Sequence, residues 1–212
     1  MTLEIIQCEQ NSPQWYAARW GVPTASCFKD ILAKGRGLTR RKYLYELAAQ
    51  KIIGERPKDD ENDDDENEYA TRAMLRGRRM ERQAREAYAF KYDMAPQLVG
   101  FMRRKVGEHR IGASPDALIG DAGLLEIKTK APHLQIECLE GGRLPPEHVA
   151  QVQGQLWVSG RQWADFVSYW PKLPLFVIRV ERDDAYIATL SAEVMAFCEE
   201  LEALTNKYRR AA

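Results

Sequence analysis

Apolar positions recur at helical spacing along the first part of the chain and at a spacing of two further on. SPQWYAARWG offers Ser12 as N-cap, Pro13 at the first helical position and Gly21 as a stop. A short helix follows over TASCFKDILAKG. Another covers RRKYLYELAAQKIIG, apolar at Leu44, Leu47, Ala48 and Ile52, and a long one spans 69–92 with Gly77 inside it. PQLVGFMRRK and HRIGASPDALIG then alternate like strands, and GDAG supplies a turn before LLEIKTK. PEHVAQVQGQLWVSG returns to helix, apolar at Val149, Val152 and Leu156 and closing on Gly160. WADFVSYW and LFVIRVER are two further strands, and SAEVMAFCEELEALTNKYRR ends the chain as an amphipathic helix. This order predicts an α/β (α+β) fold, a mixed central β-sheet flanked by helices. One domain over 1–212 is expected, with a helical region at 12–92 that includes an acidic loop at 56–68. A core at 97–181 and a helix at 191–210 complete it.

Composition narrows the class. A chain of 212 residues with 45% hydrophobic content supports one sizeable core and argues against wholesale disorder. No run of roughly 18 apolar residues occurs, and MTLEIIQCEQ lacks a basic region followed by an apolar stretch, so no membrane contact is expected and the cytoplasm is the default compartment. Cys8, Cys27, Cys138 and Cys198 are scattered and lack zinc spacing; they read as reduced thiols. The net charge of zero conceals an asymmetry. DDENDDDENE (59–68) holds eight acidic residues, and without it the chain carries 31 basic against 23 acidic side chains. The basic excess concentrates in KGRGLTRRK, RAMLRGRRMERQAR and RRKVGEHR, which favours a polyanionic partner.

SPDALIGDAGLLEIKTK (114–130) raises the question of chemistry. In a hairpin turning at GDAG, Asp116 and Glu126 face each other from neighbouring strands, and Lys128, two residues beyond Glu126, points to the same face. Three charges on one face of an apolar hairpin are costly unless they share a task or stay wet. Mg²⁺ takes hard oxygen ligands, so Asp116, Glu126 and the carbonyl of Ile127 form a candidate ligand set. Lys128 could then orient or deprotonate an attacking water, or stabilise a pentacovalent phosphorus. The alternative is a surface hairpin with a weak Glu126–Lys128 pair. Gln151 lies on the polar side of its helix with His148 and Gln155, where it could bond a water or a phosphate oxygen or simply face solvent. Glu81, amid arginines, could reach the metal site or pair with Arg85 four residues on.

These stretches together resemble a known family. SPD at 114–116, LEIK at 125–128 and AQVQGQLWV at 150–158 are similar to the nuclease core of the PD-(D/E)XK superfamily, the restriction-endonuclease-like fold. WYAARWGVPTAS, GRRMERQAREAY, GASPDALI and ERDDAYIA resemble the lambda exonuclease and phage-type alkaline exonuclease family, over about residues 12–200. The resemblance implies Asp116, Glu126 and the Ile127 carbonyl as metal ligands, Glu81 as a carboxylate near a second metal, Lys128 as the catalytic lysine and Gln151 as the motif glutamine. It further implies Arg19 and Ser26 as a site for a terminal 5′-phosphate, for which a guanidinium fork and a hydroxyl are chemically suited. Trp15 could stack on Arg19, wedge against a terminal base or pack in the core. The chain departs from the pattern in three places. His148 stands where an aromatic hydroxyl is usual, the short Asp116–Glu126 connection offers no clear counterpart to a phosphate-contacting serine, and the acidic run is extra.

The implied activity is Mg²⁺-dependent 5′-to-3′ degradation of one strand of linear duplex DNA to 5′-mononucleotides, with Mn²⁺ as a possible substitute and two ions per site. A ring-shaped homotrimer and a single-strand annealing protein acting on the 3′ overhang are the implied assembly and partner. Two rivals stand beside it. A PD-(D/E)XK endonuclease would keep Asp116, Glu126 and Lys128 but have no use for Arg19 and Ser26. A non-catalytic DNA-binding module would need only the basic faces.

Overall fold

The computed structural model of the chain describes residues 2–33, 37–55 and 67–210, with side chains from residue 75 onward in the last stretch. The acidic run lies outside the described residues, except that the backbone of Asn67 and Glu68 opens a helix. Strand β1 (Thr2–Ile6) leads into α1 (Pro13–Arg19), a 3₁₀ turn (Ala25–Cys27), α2 (Phe28–Ile31), α3 (Leu38–Ile53) and α4 (Asn67–Tyr92). Then come β2 (Phe101–Val106), β3 (His109–Ala113), β4 (Ala117–Ile119), β5 (Gly123–Lys128), α5 (Pro132–Gly141), α6 (Pro146–Ser159), β6 (Trp163–Ser168), β7 (Phe176–Glu181) and α7 (Asp184–Arg209). Among the described residues no helix is long and apolar enough to cross a membrane.

The start and stop signals act as their chemistry requires. The Ser12 hydroxyl accepts the Trp15 N–H at 3.2 Å and caps α1, which closes before Gly21 at φ +68°. Gly160, at φ +78°, ends α6 with its N–H bonded to the carbonyl of Leu156.

The strands do not form a single sheet. β1-β2-β3 is antiparallel throughout, while β4-β5-β6-β7 is mixed, with β5 and β6 parallel. The break falls at Ser114–Pro115–Asp116, where a proline without an N–H cannot continue a ladder. Two isolated bridges, Thr24–Gly112 and Gln97–Leu118, lace the two sheets to neighbouring loops. Three further elements differ from the sequence expectation. β1 was not anticipated because it is a half-exposed edge strand, held by the Glu4–Arg103 pair at 2.8 Å rather than by an apolar stripe. α5 was also not anticipated. α7 starts at Asp184 rather than 191: the Asp183 side chain caps it at Tyr186, and buried Ile187 and Leu190 extend its apolar stripe backwards.

Two apolar layers sandwich the mixed sheet. One face, with Leu124, Ala164 and Phe166, packs into the main core with α6 and α7. The other, with Leu125, Ile127 and Val167, packs on Ala84 and Tyr88 of α4. α6 is the central helix, touching the 3₁₀ turn, α2, α7, β2, β3 and β6. Its close approach to α2 and the 3₁₀ turn depends on Gly154, where a Cβ would lie 2.5 Å from Phe28 Cδ2 and 3.2 Å from Ala25 Cβ. Gly154→Ala is therefore expected to destabilise the fold by about 1–3 kcal/mol through overpacking. That lowers Tm by several degrees at roughly 2–4 °C per kcal/mol for a chain of this size. An unchanged melting temperature would contradict this packing.

Candidate active site

Strand β5 reads GLLEIK and is buried along its length except at Lys128. A central strand covered on both faces is ordinarily a continuous apolar run. Glu126 breaks the run, at only 2% exposure. Its carboxylate is compensated on every side. Oε1 accepts from Gln151 Nε2 at 2.6 Å and lies 2.5 Å from Lys128 Nζ, and Oε2 accepts from Gln155 Nε2 at 2.6 Å. Gln151 and Gln155 are one helical turn apart on α6, so one helix face delivers both amides. That face is not solvated: Gln155 is 1% exposed and His148 is also buried, because the sheet covers it.

Asp116 adjoins this group from the segment before β4. Its backbone N–H bonds to the Leu125 carbonyl, and its Oδ2 accepts the Ile127 N–H at 2.5 Å. Gln10 steadies the approach by donating to the carbonyls of Pro115 at 2.9 Å and Val99 at 3.0 Å. Burial raises the Asp116 carboxyl well above the usual carboxylate range, Glu126 and Glu81 raise it further, and Lys128 and the Ile127 N–H oppose them. For Lys128, burial favours the neutral amine, but Glu126 and Asp116 outweigh it and the net shift is upward. Lys128 is therefore an ammonium in this setting.

Glu81 comes from α4, on the opposite face of the sheet from α6. It pairs with Arg85 at 3.2 Å, as its i, i+4 spacing allows. It also lines, with Asp116, Arg78 and Gln10, a cavity of about 190 Å³. Glu81 thus makes the pair with Arg85 and also faces the cavity onto which Asp116 opens.

The residues suit a hard divalent cation. Glu126 and Glu81 both act on the Asp116 carboxyl, and the buried Oε1 of Gln155 has no hydrogen-bond partner. Among the described residues no group of three or more His, Cys, Asp or Glu side chains is placed to hold a metal ion, so any cation here would rest on fewer carboxylates. One or two carboxylates with positions left for water and phosphate is the Mg²⁺ pattern.

A second group lies beside this one. The Arg19 guanidinium stacks on Trp15, 4.1 Å from the ring centroid, so stacking is the alternative realised for Trp15. Arg19 donates long hydrogen bonds to Ser114 Oγ at 3.3 Å and Thr24 Oγ1 at 3.4 Å, and Trp15 Nε1 donates to Ser114 Oγ at 2.9 Å. Ser26 reaches this group through Thr24, Oγ to Oγ1 at 3.2 Å, and is itself exposed. Arg19 and Thr24 open onto a cavity of about 320 Å³, also lined by Tyr16, Cys27 and Tyr43. A guanidinium among three hydroxyls beside a cavity is equipped to receive an anion.

The comparisons with known proteins bear on this geometry. Residues 14–162 match the model of the YqaJ-like viral recombinase domain, which spans both groups of residues. The chain belongs to the YqaJ-like viral recombinase family. A solved alkaline exonuclease from Laribacter hongkongensis is 37% identical, with a TM-score of 0.80 over 94% of this chain and 97% of that one. The same enzyme in complex with dAMP matches at a TM-score of 0.79 and the same identity and coverage. A phage-related exonuclease from Haemophilus somnus 129PT, at 14% identity, shares the fold with a TM-score of 0.57 over 88% of this chain and 96% of that one. No curated protein matches.

Among the residues that contact the candidate site of this YqaJ-like chain, sequence reasoning assigned no role to Gln155, Ser114, Thr24 and Gln10. Ser114 stands two residues before Asp116, in the motif already singled out, and belongs to the Arg19 group. Gln155 could have been found from its i+4 spacing to Gln151. Gln10 carries no local signal, since it acts across 105 residues.

A carboxyl whose pKa is raised on folding favours the fold below that folded value and weakens it above. Asp116→Asn keeps an oxygen for the Ile127 N–H and removes the charge. It is expected to raise Tm at pH 8 in EDTA, with the gap to wild type narrowing as pH falls. A lower Tm at pH 8 would refute the electrostatic picture, as read by thermal melts across pH.

Proposed function

We propose that this alkaline-exonuclease-like protein is a Mg²⁺-dependent 5′-to-3′ exonuclease that degrades one strand of linear duplex DNA to 5′-mononucleotides. The observation that carries the reading is Ser114. It bonds Trp15 and lies on Arg19, yet it is only two residues from Asp116, so one short segment joins an anion pocket to the carboxylates. A fixed spacing between an end-binding pocket and a cutting site suits an enzyme that begins at a terminus. An endonuclease has no use for that coupling, and a non-catalytic module has no use for a buried Glu126 gripped by two amides and an ammonium.

Asp116, Glu126 and the Ile127 carbonyl would hold the cation, with Glu81 near a second one. When bound, Mg²⁺, or Mn²⁺ in its place, supplies Lewis-acid charge at the phosphate and a more acidic water. The chain's own residues do the rest. Gln151 and Gln155 fix the Glu126 carboxylate in one orientation. Lys128, held cationic, orients the attacking water and faces the charge that develops on the phosphate oxygens. Arg19 with Ser114, Thr24 and Ser26 would receive the new 5′-phosphate after each step, which gives polarity. The basic side chains of α4 and β2 hold the backbone without reading sequence. Similarity to an enzyme seen with dAMP supports a mononucleotide product. In the same reading three copies form a ring around the duplex, and the 3′ overhang passes to a single-strand annealing protein.

The test uses linear duplex with 5′-phosphate or 5′-hydroxyl ends, beside a closed circle, in Mg²⁺. Fast loss of the phosphorylated form, slower loss of the hydroxyl form and survival of the circle are expected. EDTA or Lys128→Ala should abolish cleavage. Arg19→Ala should slow the phosphorylated substrate by about 10–100-fold, the range for a lost charge-assisted hydrogen bond or two, and erase the preference for phosphorylated ends. Nicking of the circle, or loss from 3′ ends, would overturn the reading.

A further inference from the structure

His148 is buried at 8% exposure on α6, and its Nε2 has no hydrogen-bond partner. Buried polar atoms are nearly always paired, so an orphan at an active site calls for a ligand. Burial lowers its pKa to about 4, helped by Lys128, Lys130 and Lys29 and opposed by Glu147, so the ring is neutral at physiological pH. The ring lies against Phe166, centroid to centroid 5.2 Å, on the strand beside β5. The same α6 face carries Gln151, one turn on, which holds Glu126. Lys130 is tied to Glu147 at 2.8 Å, in the first turn of the same helix. The Glu147 carboxylate lies 3.9 Å from Nε2, but it is held by Lys130, and three lysines outnumber it around the ring. An uncharged N–H donor in that setting, at the N-terminal end of a 14-residue helix, can serve an anion.

Resting on the nuclease reading above, we propose that His148 is a substrate-binding residue of the cutting site. Its Nε2–H donates to a non-bridging oxygen of the DNA backbone next to the scissile linkage, with Lys29 and Lys130 supplying the surrounding positive potential. The donor needs no protonation, since the tautomer bearing hydrogen on Nε2 serves as it stands. Its neutrality also keeps a further positive charge away from Lys128.

His148→Phe keeps an aromatic ring against Phe166 and removes the donor; His148→Gln returns an amide N–H at nearly the Nε2 position. His148→Phe should slow single-turnover cleavage of 5′-phosphorylated duplex at least tenfold while leaving Tm unchanged or higher, because no internal hydrogen bond is lost. His148→Gln should recover the rate to within about threefold of wild type. Single methylphosphonates placed at each of the first three linkages locate the contact. At one linkage the defects of His148→Phe and of the missing oxygen should fail to multiply, whereas independent effects would combine. Multiplicative defects at every linkage, wild-type rates in His148→Phe, or a lowered Tm that His148→Gln does not rescue would each overturn the assignment. Wild type inert on every DNA would instead sink the nuclease reading. The same substituted duplexes, followed by fluorescence anisotropy in Ca²⁺, would then decide on His148 alone: non-additive binding at one linkage supports the contact, and additive binding at all three removes it.

Discussion

The carboxylate of Glu126, buried in the middle of an apolar strand, is the constraint around which the other elements are arranged. Taking an unpaired carboxylate out of water costs several kcal/mol even after relaxation. This structure meets that demand with two amide donors from α6 and one ammonium from β5 itself, each charge-assisted bond contributing about 1.5–3 kcal/mol. Two glutamines one turn apart can both reach it only if α6 lies close under the sheet. That closeness in turn places Gly154 against Phe28. The position of the 3₁₀ turn, and with it Thr24 and Ser26, follows from the packing that serves Glu126.

The opposite face of the sheet is fixed by another buried carboxylate. Asp165 on β6 accepts the Tyr88 hydroxyl at 2.7 Å and a two-pronged contact from Arg179, whose guanidinium stacks 3.7 Å from the Trp163 ring centroid. Burial, and then Asp165, push the Tyr88 phenol upward, so it remains a donor. Tyr88 lies two turns beyond Glu81 on α4. A latch at Tyr88 therefore sets the rotation of the helix and points Glu81 at Asp116. Each carboxylate of the candidate site is thus aimed by a contact made elsewhere: Glu126 by α6, Glu81 by Tyr88, Asp116 by Gln10 through Pro115.

How much of this the sequence carried depends on the range of the interaction. Gly160 and the Ser12 cap act within a few residues, and the helices they bound were legible. So was the juxtaposition of Asp116, Glu126 and Lys128, because a tight hairpin fixes it locally. β1 left little trace, since an edge strand buries little and needs no stripe. The split of the sheet was signalled by Pro115 but overshadowed by the alternation on both sides of it. The α6 face bearing His148, Gln151 and Gln155 reads as polar and hence as wet; only the sheet laid over it makes it dry. Gln10 and the Tyr88–Asp165 bond join residues 77 or more positions apart, and nothing near either partner announces the other.

The same features that cost the free protein stability are those that suit it to a phosphate and a cation. Burial and two neighbouring carboxylates penalise the charged form of Asp116, Gln155 keeps an unused oxygen, and His148 an unused nitrogen. A core selected for stability alone would replace such groups with apolar ones of similar shape at little loss. Their survival together within one layer between β5 and α6 indicates that partners from outside complete them. Complementarity to an absent charge distribution is the form that catalytic preorganisation takes: donors and acceptors are fixed before the substrate arrives, so little reorganisation remains when charge develops. The Arg19 group adds direction to that preorganisation. Because Ser114 and Asp116 lie two residues apart, a phosphate seated on Arg19, as proposed above, would set the position of the next linkage by geometry, and under that reading the end of the strand would be where cutting starts.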